Sequence, residues 1–251
     1  MQITVLMENG SREGLCAEHG LSLYVRYGDG SLLLDAGESG DFVHNARQLG
    51  CPLDAVHTAV LSHGHYDHAD GFPALFRLND AVKVYARPAV LEPQYAPDGR
   101  YIGLNALLRE EYAGRFDLSD EMRSLAPGLW LVPDEVDHEQ SLVAETENGL
   151  VVMNSCCHAG ADNIVAGVLE RFPGKKVRAL VGGLHLMGPG GVSTLGMDPD
   201  GVRALARRLT EELGVEEICT GHCTGAPGCA LLEKAAPGKI RAIHAGNILE
   251  F

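Results

Sequence analysis

The spacing of apolar positions divides the chain into short strands alternating with amphipathic helices. Ile3–Met7 reads as a buried strand. Leu21–Tyr27 and Ser31–Leu34 follow as two strands joined by Gly28-Asp29-Gly30, whose glycines supply the positive φ of a hairpin turn. Ser39–Leu49 has helical spacing and stops at Gly50 as C′. Val56–Leu61 predicts a further strand, Gly71–Leu78 a short helix and Val82–Tyr85 a strand. Residues 86–128 break this rhythm at Arg87-Pro88, Glu92-Pro93 and Ala96-Pro97-Asp98-Gly99, with a helix only over Asn105–Gly114. A long irregular stretch inside a domain reads as a substrate-covering insertion or lid.

Regular spacing then returns. Ser141–Thr146 and Leu150–Asn154 predict a hairpin across Asn148-Gly149. Asp162–Phe172 is helical and Val177–Val181 a strand. Pro199–Leu213 predicts a helix with Asp198 as N-cap, Pro199 at N1 and Gly214 at C′. Glu216–Thr220, Lys239–His244 and Asn247–Leu249 complete the strands. Mixed strands and helices, strand-rich at the start of each half, predict an α/β (α+β) fold of sheets covered by helices. No linker separates two domains, so residues 1–251 read as one.

Composition narrows the partners. The chain of 251 residues is 45% hydrophobic, enough for a sizeable core. Its net charge is −14 and its basic residues form no dense run, which speaks against nucleic acid as a partner. No apolar run reaches the ~18 residues of a membrane helix, and Met1–Glu8 has none of the features of a signal peptide. The expectation is a cytoplasmic protein with a small-molecule substrate. Seven cysteines, an odd number, argue against a disulfide framework and read mostly as small buried side chains. Cys156 and Cys157 stand apart because a histidine follows them at a strand end.

The chemistry concentrates in one place. Three of the eleven histidines fall within the six residues His63-Gly64-His65-Tyr66-Asp67-His68, directly after an apolar strand. His63 and His65 are two apart and point to the same side of an extended chain end. Gly64 leaves room for a tight approach, and Asp67 and His68 begin a turn toward the next helix. Imidazole nitrogen and carboxylate oxygen suit zinc, iron or manganese. One strand end can thus supply two ligands to one metal and two to its neighbour.

This HxHxDH run after a strand resembles the signature of the metallo-β-lactamase superfamily, and the resemblance extends over essentially the whole chain. It implies a four-layer αββα sandwich of two mixed β-sheets flanked by helices, with metals at one edge between the sheets. Asp35 in Leu34-Asp35-Ala36-Gly37 is similar to the family's strand-end Asp-x-Gly. His222 in Thr220-Gly221-His222-Cys223-Thr224-Gly225 resembles the late histidine that completes the second metal site. A narrower likeness is to the dihydropteroate-synthase-related branch, some of whose archaeal members are named for making a dihydropterin-ribofuranosylaminobenzene phosphate. It rests on Glu18-His19-Gly20-Leu21-Ser22, Ser155-Cys156-Cys157-His158-Ala159-Gly160, Gly182-Gly183-Leu184-His185-Leu186 and His222-Cys223-Thr224-Gly225. The branch usually has Gly-Cys-Ser-His-Pro-Gly at the second of these; here Ser155, Cys157 and Ala159 differ, while Cys156 and His158 are kept. Asp70 stands where the branch tends to glycine.

The resemblance implies a ligand set. The first metal takes His63, His65 and either His158, which fits the branch, or His138, which matches the position many superfamily members use. The second takes Asp67, His68 and His222, with Cys156 either a bridging ligand or a buried free thiol. Asp35 would steady a ligand ring from behind. His185, after two glycines at a strand end, would hold substrate or pass a proton, and Asp67 would orient the nucleophile. The expected cofactor is Zn2+, two ions, with iron or manganese as alternatives. The expected activity is hydrolysis of a small ester, lactone, amide or phosphodiester by metal-activated water. Alternatives are a pterin-related transferase or synthase of the archaeal methanopterin type, and a di-iron oxidoreductase. The last class tends to carry Glu where His65 stands and to come with a flavodoxin module, for which this chain is too short.

Overall fold

Parallel pairing at the centre of two sheets puts consecutive strand ends side by side, and this decides where chemistry can sit. The computed structural model describes all 251 residues as two units, Met1–Glu121 with His244–Glu250, and Met122–Ile243 with Phe251.

The first unit holds β1 (Gln2–Met7), β2 (Ser22–Tyr27), β3 (Gly30–Leu34), β4 (Thr58–Val60), β5 (Lys83–Ala86) and β6 (Phe116–Leu118). With the C-terminal strand Ile248–Glu250 they form a seven-stranded sheet, in the order C-terminal strand, β1, β2, β3, β4, β5, β6. β1 to β3 pair antiparallel; β3 to β6 pair parallel. Helices α1 (Asp41–Gln48), α2 (Tyr66–Ala69), α3 (Phe72–Leu78) and α4 (Ala106–Glu110) belong to this unit. Phe42 and Ala46 of α1 and Phe72 and Leu75 of α3 join Leu6, Leu33 and Leu61 in one buried cluster. Each such phenylalanine or leucine contributes about 1.5–3 kcal/mol relative to exposure.

Residues 86–128 are more regular than their prolines predict. Pro88 opens the 3-10 turn Pro88–Leu91, where a missing N–H leaves no bond unmade. Gln94 to Ile102 folds back on itself through Ile102 N to Gln94 O (2.9 Å) and Ala96 N to Arg100 O (2.8 Å). The predicted helix over Asn105–Gly114 shortens to α4, with Asn105 accepting the Leu108 N–H as N-cap.

The second unit holds β7 (Arg123–Ala126), β8 (Leu129–Pro133), β9 (Gln140–Thr146), β10 (Gly149–Met153), β11 (Val177–Gly182), β12 (Met187–Gly188), β13 (Gly191–Leu195), β14 (Glu217–Thr220) and β15 (Ile240–Ala242). Its seven-stranded sheet runs β15, β14, β11, β10, β9, β8, β7, and β12 and β13 form a separate ribbon. β10, β11, β14 and β15 are parallel. Helices α5 (Ala161–Arg171), α6 (Pro199–Arg207) and α7 (Gly225–Ala235) supply Val165, Val202 and Leu232 to a second core with Val152, Leu180 and Ile218. Asp198 caps α6 through bonds from Asp200 N and Gly201 N, as its spacing predicts, and α6 continues into a π-turn over Arg208–Glu212. The β9–β10 turn is shifted by one residue from expectation. Thr146 pairs with Gly149, so the turn is Glu147-Asn148, and the Thr146 hydroxyl bonds the Gly149 carbonyl at 2.8 Å. No helix is long and apolar enough to cross a membrane.

Gly182 lets β10 and β11 leave the sheet together. Its φ is +133°, and a Cβ there would stand 1.9 Å from the carbonyl oxygen of Asn154. Gly182→Ala is therefore expected to destabilise by about 2–4 kcal/mol, lowering the thermal midpoint by roughly 5–15 °C. An unchanged melting curve would show that the two strand exits have room to part.

Candidate metal centre

In the first unit the histidine run follows from strand pairing. Leu34 of β3 pairs with Val60 of β4, and Asp35 N donates to Val60 O at 2.9 Å. Asp35, just past β3, therefore meets Ser62, just past β4. The buried Asp35 carboxylate accepts Ser62 N and Ser62 Oγ, each at 2.7 Å, and His68 Nδ1 at 2.8 Å. His65 is extended at the start of α2, whose first turn carries Asp67 and His68.

These bonds fix which ring nitrogens face the site. A carboxylate only accepts, so the single Ser62 hydroxyl proton goes to Asp35. Ser62 Oγ then accepts from His63 Nδ1, 2.9 Å away, which leaves the lone pair of neutral His63 on Nε2. That Nε2 lies 3.0 Å from His65 Nδ1. His68 likewise donates from Nδ1 to Asp35 and turns Nε2 toward Asp67 Oδ2, 3.5 Å away. At His68 and Asp67 two acceptors face each other, which favours a cation between them. Tetrahedral ligands about 2.0–2.1 Å from one metal stand about 3.3–3.4 Å apart, close to the 3.5 Å between His68 Nε2 and Asp67 Oδ2. The nitrogen and oxygen donor set fits a divalent transition metal.

The second unit gathers its candidates at the carboxyl ends of parallel strands, the edge where α/β sheets generally bind ligands. Past β10 come Cys156 and His158, past β11 His185, and past β14 His222. The ligand atoms of Glu139, Cys156 and His158 lie within 4.8 Å of one another, as do those of Cys156 and His222 and those of His138 and His158. Rings of His158 and the solvent-exposed His185 are 4.2 Å apart at their centroids. His138 is paired with Asp137. Cys223 receives His185 N at 3.4 Å and reaches the Cys156 carbonyl at 3.5 Å, tying three strand exits together.

Burial pushes the Glu139 carboxyl well above the usual carboxylate range, against the bond it accepts from His158 N at 2.8 Å. Burial alone would raise the Cys223 thiol. Its hydrogen bonds with Cys156 and His185 and the adjacent His222 reverse this and bring it well below the usual thiol range. The Cys223 sulfur in turn raises His185. Burial raises Cys157, consistent with a packed thiol.

Asp35, Cys157, His185 and His222 are the non-glycine residues at positive φ, between 49° and 57°. All follow strand ends of the two sheets. Three residues here had no place in the expected set. Glu139 follows the more conspicuous His138, Cys223 follows His222, and His19 sits 3.3 Å from Asp67 Oδ2. The Glu18-His19-Gly20 motif was the available signal for the last. Asp70 accepts Asn105 N at 3.2 Å and so steadies the N-cap of α4, a use for a carboxylate where the related branch has glycine.

A sequence model of the metallo-beta-lactamase superfamily matches residues 17–193, more than half of the chain. The chain belongs to that superfamily. A superfamily member whose crystal structure is described as a metal-dependent hydrolase shares 30% identity and superposes with a TM-score of 0.83, covering 100% of this chain and 99% of that one. The metallo-β-lactamase fold, with its two large mixed sheets flanked by helices, is thus established. A diphosphatase of the PhnP family, at 18% identity and TM-score 0.60, covers 100% of this chain and 96% of its own and shares the fold. Among curated relatives, the 7,8-dihydropterin-6-methyl-4-(beta-D-ribofuranosyl)-aminobenzene-5'-phosphate synthase of Methanocaldococcus jannaschii is 25% identical, over 94% of this chain and 90% of its own. This likeness supports the branch that the four motifs pointed to.

Proposed function

We propose that this superfamily member is a metal-dependent hydrolase acting with water on a small ester, lactone, amide or phosphodiester. The observation that carries the reading is the pair of lone-pair nitrogens, His63 Nε2 and His68 Nε2, each turned by a held Nδ1–H toward a second donor. His63, His65 and His158 would hold one ion, and Asp67, His68 and His222 the other, with Cys156 either a further donor or a buried free thiol. His158 is preferred to His138 because its motif, Cys156-Cys157-His158, fits the related branch. The ions are zinc in this reading, with iron or manganese next.

Bound there, such ions supply Lewis acidity and acidify water. The protein's part is orientation. Asp35 fixes two ring directions at once, directly at His68 and through Ser62 at His63. Asp67 would keep one carboxylate oxygen on a metal and orient the attacking water with the other. His185, solvent-exposed, would meet the substrate and return a proton to the leaving group. Of residues 86–128, the part between β5 and β6 would cover the substrate and exclude bulk water.

A second reading has a specific observation behind it, the 25%-identical synthase relative. In that case the same ligands would serve a pterin-related bond-forming reaction. The test is elemental analysis of protein purified without added metal or chelator, followed by assay on p-nitrophenyl esters, a lactone and bis(p-nitrophenyl) phosphate. About two zinc ions per chain and turnover of a single substrate with water support the hydrolase. Turnover that requires two co-substrates selects the synthase, and metal-free active protein removes both readings.

A further inference from the structure

We infer that His19 is a ligand of the second metal, a role outside the set that the HxHxDH run and the late histidine provide. The inference rests on the metallohydrolase reading above and adds one donor to it.

The geometry centres on one oxygen. Asp67 Oδ2 lies 3.5 Å from His68 Nε2 and 3.3 Å from His19 Nε2. Donors about 2.0–2.1 Å from a tetrahedral zinc stand about 3.3–3.4 Å from each other. Both separations match edges of such a polyhedron, with Asp67 Oδ2 at a shared corner. A direct charge-assisted hydrogen bond between imidazolium and carboxylate would settle nearer 2.7–2.9 Å, so 3.3 Å is long for that alternative.

The segment carrying His19 is held in place. Leu21 N donates to Asp67 O at 3.3 Å, and Gly20 N reaches Asn9 Oδ1 at 3.4 Å. Gly20 has φ +155°, and a Cβ there would stand 2.5 Å from the same Asp67 carbonyl. On the other side of His19, Glu18 Oε1 accepts Glu38 N and Ser39 N at 2.9 and 3.0 Å. His19 therefore comes to Asp67 on a backbone docked at both flanks. With 37% of its side chain exposed, it is also a ligand that substrate or water can displace.

The test uses zinc-loaded protein and its cobalt(II)-substituted form. Wild type, His19→Ala, His19→Asp and the control His57→Ala are dialysed against a graded zinc buffer and analysed for metal. His19→Ala is expected to keep the first ion and bind the second at least tenfold more weakly, with a changed cobalt d–d spectrum. His19→Asp, which restores a donor, is expected to recover much of the affinity, and His57→Ala to match wild type. Two ions held by His19→Ala with wild-type affinity and spectrum would overturn the role of His19 and leave the metal pair standing. A wild-type protein that binds no second ion would overturn the metal pair itself, and the inference with it. Thermal melts of the metal-free proteins separate a lost ligand from a lost fold.

Discussion

Asp35→Ala will destabilise the protein by about 3–5 kcal/mol, among the largest effects of any single side chain outside the cores. The wild-type carboxylate is fully buried and accepts three hydrogen bonds, from Ser62 N, Ser62 Oγ and His68 Nδ1. Alanine leaves the backbone N–H and the imidazole N–H without their acceptor in a dry site, at about 1–3 kcal/mol each. It also places a Cβ without a polar partner at φ 57°, a conformation that aspartate tolerates better. The loss will extend to metal affinity, by about 10–100-fold, because His68 and, through Ser62, His63 lose their fixed ring directions. Chemical denaturation of the metal-free protein reads the first effect, and competition with a chelator the second. Asp35→Asn is expected to lose less of both, since an amide oxygen still accepts one bond. Equal losses for the two variants would mean that side-chain volume, not hydrogen bonding, sets the effect.

His63→Ala will have its largest effect on turnover. Its Nε2 is the donor directed by the Asp35–Ser62 relay, and under the proposed reading it is one of three ligands of the first ion. Its removal is expected to bring the metal content from two ions per chain toward one. Hydrolysis should fall at least a thousandfold, the equivalent of the roughly 4 kcal/mol that a well-placed Lewis acid supplies. A comparable loss of activity with full metal content would show His63 acting on the substrate instead. Retained activity would remove the first-ion assignment.

Much of the first unit's candidate ligand set is legible in the sequence because it is local. His63, His65, Asp67 and His68 share one strand end and one helical turn, so their spacing already states their geometry. Asp35 is legible by motif, although its bonding to Ser62 and His68 depends on the parallel pairing of β3 with β4. The second unit is harder. Cys156, His158, His185 and His222 are brought to one sheet edge by β10, β11 and β14, and no window of sequence spans them. Glu139 and Cys223 escape notice because each adjoins a histidine that draws the attention, and their roles lie in bonds made across strands. Among the elements, β6, β7 and β12 are too short for a period to register, whereas β8, between Pro127-Gly128 and Pro133-Asp134, does carry a turn signal that frames it. α7 begins with Gly225-Ala226-Pro227-Gly228, which reads as a loop. Its burial of Leu232 in the second core outweighs that local preference.

The discontinuity of the first unit bears on how the protein is made. β1 lies between β2 and the C-terminal strand, so one edge of β1 stays bare until residues 248–250 leave the ribosome. Throughout synthesis of the second unit, the apolar segment Ile3–Met7 presents unpaired backbone groups of the kind that recruit other chains. Closing that edge joins residues more than 240 positions apart, a slow step by its loop length alone. Nascent chains stalled before Ile248 emerges should therefore be the species that chaperones retain and that aggregates on overexpression.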